Sequence, residues 1–515
     1  MTVPGPVAWR AAPRALALSA LLLTLSPPLG AQLISIKTVP IVQGDQFDIY
    51  PSQHQGMGGA SIALADTLLD PFRNPARGAR LAVPRLFASP TFYGVSNGTG
   101  GGRTLPLAAF AQRGALYGGL SLAAQEVDGS QSPASPVAFQ PPGVFTGVAL
   151  VQTPPSPAPP PPSHGNAYAF ALLGTTLAGP RLSLAASVSW ARLNAVDGVD
   201  LLYPGSQGID QFGHAVDVRV GLLKDWPGDR SLDAVLLYNR FGMSQDVTYS
   251  DLFWDPGTQR ARQRARVDSE IDRTDAWGLH VQYERPLGTS GWRIGWIATG
   301  NLMSHPKIPN YEIMSIPRDP GHSDALQLGV GVARTNGPAT FGLDAVYEPI
   351  WSLTYAAAPV PTETALGDTI PVGGKTIENR FRFSNALFRM GVARELPIGG
   401  RPRAAAWQLG VSVHAIHYWL RQEDHVQDAS RASENWWVEW TPTWGLTLRF
   451  PELELRYSGR VTTGIGRPQA QTGGFLLNDP AALRAGGVIV APNGPLTLEG
   501  VNVVTHQFSL SLPLR

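Results

Sequence analysis

The sequence predicts an all-β fold: a transmembrane antiparallel β-barrel of about 14–16 strands, an even number being what closes such a barrel. Three observations lead there. The chain opens on an export leader, its middle and end alternate apolar and polar residues with a period of two, and its connections switch regularly between short and long.

Composition narrows the class first. The chain has 515 residues, and only 15% are charged, below the roughly 25% of ordinary soluble domains. A formal net charge of +1 gives no bulk field to hold a nucleic acid, so no nucleic-acid partner is expected. With no cysteine, disulfides, thiolate metal sites and cysteine nucleophiles are excluded together.

Residues 1–31 read as a signal peptide. Arg10 and Arg14 form the positive region, residues 15–25 the apolar one, and a cut after Gly30-Ala31 fits. That apolar run is too short to span about 30 Å of hydrocarbon as a helix. The expected destination is the bacterial outer membrane.

Next comes QGMGGASIALADTLLDPFRNPA, residues 55–76. Gly56, Gly58 and Gly59 permit close backbone approach and positive φ. Residues 61–69 are expected as a short helix, and Asn74-Pro75 stops it because the residue before proline is driven out of the helical region. Residues 32–80 are expected as an N-terminal segment distinct from the barrel of residues 81–515.

Beyond it, the strands have one apolar face each. Leu182, Leu184, Val188 and Trp190 oppose Ser183, Ser187 and Ser189, while Val216, Val218 and Val220 oppose Asp217, Arg219 and Gly221. Trp277, Leu279, Val281 and Tyr283 oppose Gly278, His280, Gln282 and Glu284. Trp407, Leu409, Val411 and Val413 oppose Gln408, Gly410, Ser412 and His414, and Leu453, Leu455 and Tyr457 oppose Glu452, Glu454, Arg456 and Arg460. Such a period means strands buried on one side. A soluble sandwich would alternate equally, but its long loops would fall at both ends. Here short connections (near 113–114, 178–180, 224–230, 286–290, 335–338, 396–402 and 450–452) alternate with long ones. The long ones are 94–104, 126–165, 195–210, 250–271, 303–321, 354–376, 421–433 and 463–499. Tight turns at one rim and long loops at the other are the outer-membrane pattern. Aromatics near strand ends, among them Trp226, Trp254, Trp351, Trp419, Trp436 and Trp440, suit a membrane–water boundary. The final strand, 506–514, ends in Pro513 and Arg515 instead of an aromatic residue.

Two loop stretches stand out. The proline-rich residues 153–163 read as an exposed extended loop, with docking of a protein partner as the alternative. RARQRAR, residues 260–266, reads as a polar strand extension or as a grip on lipopolysaccharide phosphates.

No H-E-x-x-H or P-loop occurs, so neither catalysis nor a cofactor is expected. His414 and His417 are spaced to opposite faces of a strand and do not read as a metal pair. The charged residues Asp217, Arg219, His280, Glu284, Glu452, Glu454, Arg456 and Arg460 are expected to face the lumen, where charges must be paired or hydrated.

The block Gly56, Met57, Gly58, Gly59, Asp66, Asn74, Pro75 and Ala76 resembles the N-terminal signature of FadL-type outer-membrane barrels (long-chain fatty acid transport proteins) and their PorV/PorQ-like relatives. A weaker echo is residues 378–383, ENRFRF. The resemblance implies a hatch folded into the lumen, these eight residues forming it or acting as its gate, and a count of 14 strands. The family's glycine after Asn-Pro-Ala is Arg77 here, with Gly78 following, and the single Asp66-Thr67 stands where relatives often pair two acids. FadL-type members imply passive uptake of hydrophobic small molecules such as fatty acids. PorV-like members imply a structural or protein-secretion barrel with a protein partner at the outer loops and no conducted substrate.

Overall fold

A computed structural model of the chain describes residues 45–514, apart from 82, 99, 130–162, 178–180, 198, 200–205, 256, 259, 305–320, 359, 399–403 and 469–497. The leader, residues 153–162 of the proline-rich stretch and the C-terminal Arg515 lie outside the described residues.

Strands β1 (Arg85–Ala88), β2 (Thr91–Val95), β3 (Gly101–Arg113), β4 (Leu116–Asp128), β5 (Ser163–Leu177) and β6 (Leu182–Leu193) start the wall. It continues with β7 (Ser206–Trp226), β8 (Arg230–Asp255), β9 (Arg260–Leu287), β10 (Trp292–Met303), β11 (Gly321–Asn336) and β12 (Ala339–Ala357). A small hairpin, β13 (Thr362–Glu363) with β14 (Thr369–Ile370), sits in the following loop. The wall resumes with β15 (Lys375–Pro397), β16 (Ala404–Asp424), β17 (Ala429–Arg449), β18 (Glu454–Pro468) and β19 (Leu498–Pro513).

Each wall strand pairs antiparallel with its sequence neighbour, and β19 returns to β1 and β2, which closes the ring. β1 and β2 are two halves of one strand, interrupted at Ser89-Pro90, and both pair with β3. Proline cannot donate to a ladder, so the break falls where the sequence removes an N–H. Counted so, the barrel has 16 strands, not the 14 that the family resemblance implied.

The period-two pattern sets the faces. Leu120, Leu122, Leu173, Val220, Leu279, Leu328 and Leu409 point outward and are exposed, whereas Ser121, Ser187, Asp233, Glu284, Asp344 and Asn385 point inward and are buried. An apolar surface running around the whole ring is far larger than a soluble monomer exposes. It is the lipid-facing band of a transmembrane barrel, and the closed, even-stranded wall is that of the bacterial outer membrane.

Two expected long loops are ladder instead. β8 and β9 pair up to Asp255↔Arg260, and β16 and β17 up to Asp424↔Ala429. Residues 260–266 therefore form part of β9, paired with residues 249–255. These extensions carry no sustained apolar face in the sequence, because a strand that has left the bilayer has no apolar side to betray it. Spanning takes about 9–11 residues, so β8 and β9, with 26 and 28 residues, project well beyond the membrane.

Candidate functional site: a hatch in the lumen and the apolar wall beside it

Residues 45–81 run through the lumen from the long-loop side, where Gln46 bonds Ala195, to the short-turn side, where Arg80 meets Asp225. The glycine block works as its composition requires. Gly58 (φ 71°) and Gly59 (φ 74°) adopt the left-handed conformation, and a side chain on Gly58 would start 2.5 Å from the Val411 carbonyl oxygen. Gly56 packs against Trp444 and Gly445, and Met57 is fully buried.

The stretch 61–69 is not a helix. The backbone N–H groups of Ser61 and Ile62 donate to Asp344 of β12, at 2.7 Å and 3.3 Å, and Gln282 of β9 donates to the Ile62 carbonyl at 2.9 Å. Gln282 thus takes the Ile62 carbonyl that a helix would offer to the Asp66 N–H, and that N–H donates to the Asp70 carboxylate at 3.0 Å instead. Helix forms only over Asp70–Arg73, and Asn74 (φ −124°, ψ 108°) ends it, its side chain accepting from the Ala76 N–H at 3.0 Å ahead of a tight turn over Pro75–Arg80.

Asp66 ties the hatch to itself. Its carboxylate accepts from Ser52 Oγ at 2.6 Å and from the N–H groups of Gln53, Leu68 and Leu69 at 2.8, 3.1 and 3.1 Å. Because it is buried, Asp66→Ala leaves these donors unsatisfied, and about 1–3 kcal/mol of hatch stability should go. Limited proteolysis of the folded barrel should then cut within residues 45–81 at lower denaturant than in wild type.

Arg77, the departure from the family pattern, is the central ion. It donates to Asp70 at 2.7 Å and pairs with Asp233 of β8, all three nearly or fully buried. Burial works against its charge, but Asp70, Asp233 and Glu284 together raise its affinity for the proton above the ordinary arginine value. Arg80 joins Asp225 and Glu284 at 2.8 and 3.3 Å. At the segment's start, Arg460 of β18 holds Asp45 at 2.7 Å and also Asp48. Burial raises the Asp48 carboxyl, and the Arg460 guanidinium outweighs it, leaving the group below its ordinary value.

Packing adds to the ties. Phe72 stacks on Tyr50 (centroids 3.6 Å, 10°) and meets Phe170, Phe110 and Phe87 of the wall at 4.7, 5.5 and 6.0 Å. Burying one such side chain contributes about 2–3 kcal/mol.

The wall makes room with glycines. Gly342, Gly391 and Gly410 sit in one cross-strand row. A Cβ would start 2.4 Å from the Met57 Cα at Gly391, 2.3 Å from the Gly58 N at Gly410, and 2.7 Å from Leu64 at Gly342. Gly295 and Gly331 seat Ile62 in the same way, and Gly221 seats Asn74. In the sequence these glycines are only non-apolar positions on inward faces; the strand register is needed to see them as a socket.

Of the charged residues expected to face the lumen, Asp217 and Arg219 pair at 2.7 Å, and Arg219 donates to the Phe72 and Arg73 carbonyls at 3.1 and 3.0 Å. Glu284 accepts from Ser231 at 2.7 Å, Glu454 pairs with Arg456 at 2.5 Å, and His280 Nδ1 meets Thr299 Oγ1 at 2.7 Å. Glu452 departs from the expectation: it is exposed in the turn between β17 and β18, just short of the strand. His414 lies inward against Glu348 at 3.3 Å, and His417 bonds Glu434 on the outer face at 2.7 Å.

Farther toward the long-loop rim, one side of the lumen is apolar. Val235, Leu237, Met303, Ile350, Phe383 and Leu420 form its cluster, on inward positions of β8, β10, β12, β15 and β16. Between this wall and the hatch stands Arg389 of β15, against Gly59. Its cross-strand neighbour Asp344 is occupied by hatch amides, and Arg389 makes no hydrogen bond or ion pair among the described residues. Sequence reasoning misses Arg389, six residues beyond Phe383 on the ENRFRF strand; an arginine on an inward parity is the available signal.

No family model matches the chain, and no curated protein does. Among solved structures the chain is similar to a Pseudomonas aeruginosa FadL homologue (13% identity, 91% of this chain and 99% of that one, TM-score 0.41). It is also similar to a bacterial polysaccharide outer membrane secretin (7%, 84% and 99%, TM-score 0.39) and a ferric enterobactin receptor (11%, 84% and 82%, TM-score 0.33).

Proposed function

We propose that this outer-membrane barrel is a passive entry route for hydrophobic small molecules with an acidic head, fatty acids being the model substrate. The observation that carries the reading is the pairing of an apolar lumenal wall with Arg389 at the surface of the hatch. Phe383 and Arg389 lie on one strand six residues apart, about 20 Å along it, which suits an alkyl chain on the wall and a carboxylate at the guanidinium. The hatch residues Gly56, Met57, Gly58, Gly59, Asp66, Asn74, Pro75 and Ala76 then form the gate that the substrate must displace.

A second reading has its own support. The hatch is tied to β7, β8, β9, β12 and β18 by ions and hydrogen bonds, as suits a barrel that stays shut and serves as a structural or secretion partner. Uptake by proteoliposomes separates the two. The entry reading expects saturable uptake of a long-chain fatty acid. Arg389→Leu should weaken apparent affinity for the acid about tenfold, the loss of one charged hydrogen-bond partner, and leave the matching alcohol unaffected. Phe383→Asp should depress both. Rates equal to those of empty liposomes would leave the closed-barrel reading standing.

A further inference from the structure

The outer surface of the barrel carries a groove of about 670 Å³ at the long-loop rim, across β12, β15, β16 and β17. Two cross-strand rows build it. Trp351, Arg382 and Trp419 are neighbours in the lower row, and Arg380 faces Arg421 in the upper one. All five side chains lie on outward positions, so the groove opens away from the lumen.

Its place relative to the bilayer follows from the same strands. Toward the short-turn rim, β15 and β16 expose Phe388, Met390, Val392 and Leu409, the apolar band. Trp351, Trp419, Trp436 and Trp440 end that band, and tryptophan belts mark the membrane–water boundary. The arginines stand at that boundary and just beyond it, on the side of the long loops, which is the outer leaflet.

Charge decides what fits. Arg382 lies 5.9 Å over the Trp419 ring and makes no ion pair among the described residues. Arg380 pairs with Glu378 at 2.6 Å and Arg421 with Glu423 at 3.0 Å, but both guanidiniums are 60% or more exposed, and pairs of that kind exchange readily. Lys375 also reaches Glu378, and the acid lining the groove, Glu434, is held by His417 at 2.7 Å. Three guanidinium forks around an apolar-floored groove match a phosphate whose acyl chains lie on the barrel below. We propose that this groove binds a phosphorylated saccharolipid of the outer leaflet, the phosphate among Arg380, Arg382 and Arg421 and an acyl chain against Trp351 and Trp419.

The test uses the full barrel in detergent, with bisphosphorylated lipid A, its dephosphorylated form and inorganic phosphate as probes, read by native mass spectrometry. Retention of bisphosphorylated lipid is expected. Dephosphorylated lipid, and the Arg380→Gln/Arg382→Gln/Arg421→Gln barrel with the intact lipid, should each bind about tenfold more weakly, the scale set by removing charge-assisted hydrogen bonds. Arg382→Lys, which keeps charge but loses the fork, should bind roughly threefold more weakly, and it decides the matter if the triple variant does not show heat-modifiable folding. Equal binding of the dephosphorylated lipid, unchanged binding by the folded variants, or full competition by inorganic phosphate at equal concentration would each overturn the assignment.

Discussion

Gly391→Val with Gly410→Val is expected to turn a closed barrel into an open pore. Each new side chain would start within 2.4 Å of hatch backbone at Met57 or Gly58. Overpacking costs about 1–3 kcal/mol at an ordinary core site, and backbone on one side with a hydrogen-bonded strand on the other puts both sites at the top of that range. The wall is continuous and the hatch is one segment, so the hatch yields. Single-channel recording in planar bilayers should show steady conductance in the double variant and little in wild type. Gly300→Ala is the control, since Gly300 faces outward and a Cβ there meets only Leu326 at 3.6 Å. If the double variant conducts no better than Gly300→Ala, the hatch does not close the lumen.

Arg77→Met should be the most damaging single change in the hatch. It leaves Asp70 and Asp233 facing each other with no cation between them, both buried. Breaking a buried ion pair by removing one partner costs about 3–5 kcal/mol, whereas replacing the whole group with apolar residues is often neutral. Denaturant unfolding followed by hatch-specific proteolysis should therefore show a large loss for Arg77→Met and recovery of much of it in Arg77→Met/Asp70→Leu/Asp233→Leu. Equal losses in the two would mean that Arg77 acts by shape and not by charge.

What was legible in the sequence depended on whether lipid was there to write it. Along residues 406–415 or 182–190, hydrocarbon outside and a polar lumen inside force a period of two, and the faces read directly. Past the bilayer, in 250–271 and 421–433, no hydrocarbon imposes a period of two while the ladder continues, so strand reads as loop. The stretch 61–69 misleads for another reason: its local preference for helix loses to Asp344 and Gln282, residues more than 200 positions away. The socket glycines and Arg389 depend on register, which no single strand reveals.

The broken first strand has a consequence for assembly. Ser89 of that strand meets Ser509 of β19 across 420 positions of chain, so closing the seam carries a high loop-closure entropy and is expected late. The hatch precedes that strand and touches nearly every other one. A nascent wall that curls around its own N-terminus can collect those contacts one hairpin at a time, whereas a finished ring would have to be entered from an end. Wrapping is the order of assembly these contacts favour, and a variant with a loosened hatch should be slower to close its seam as well as easier to open.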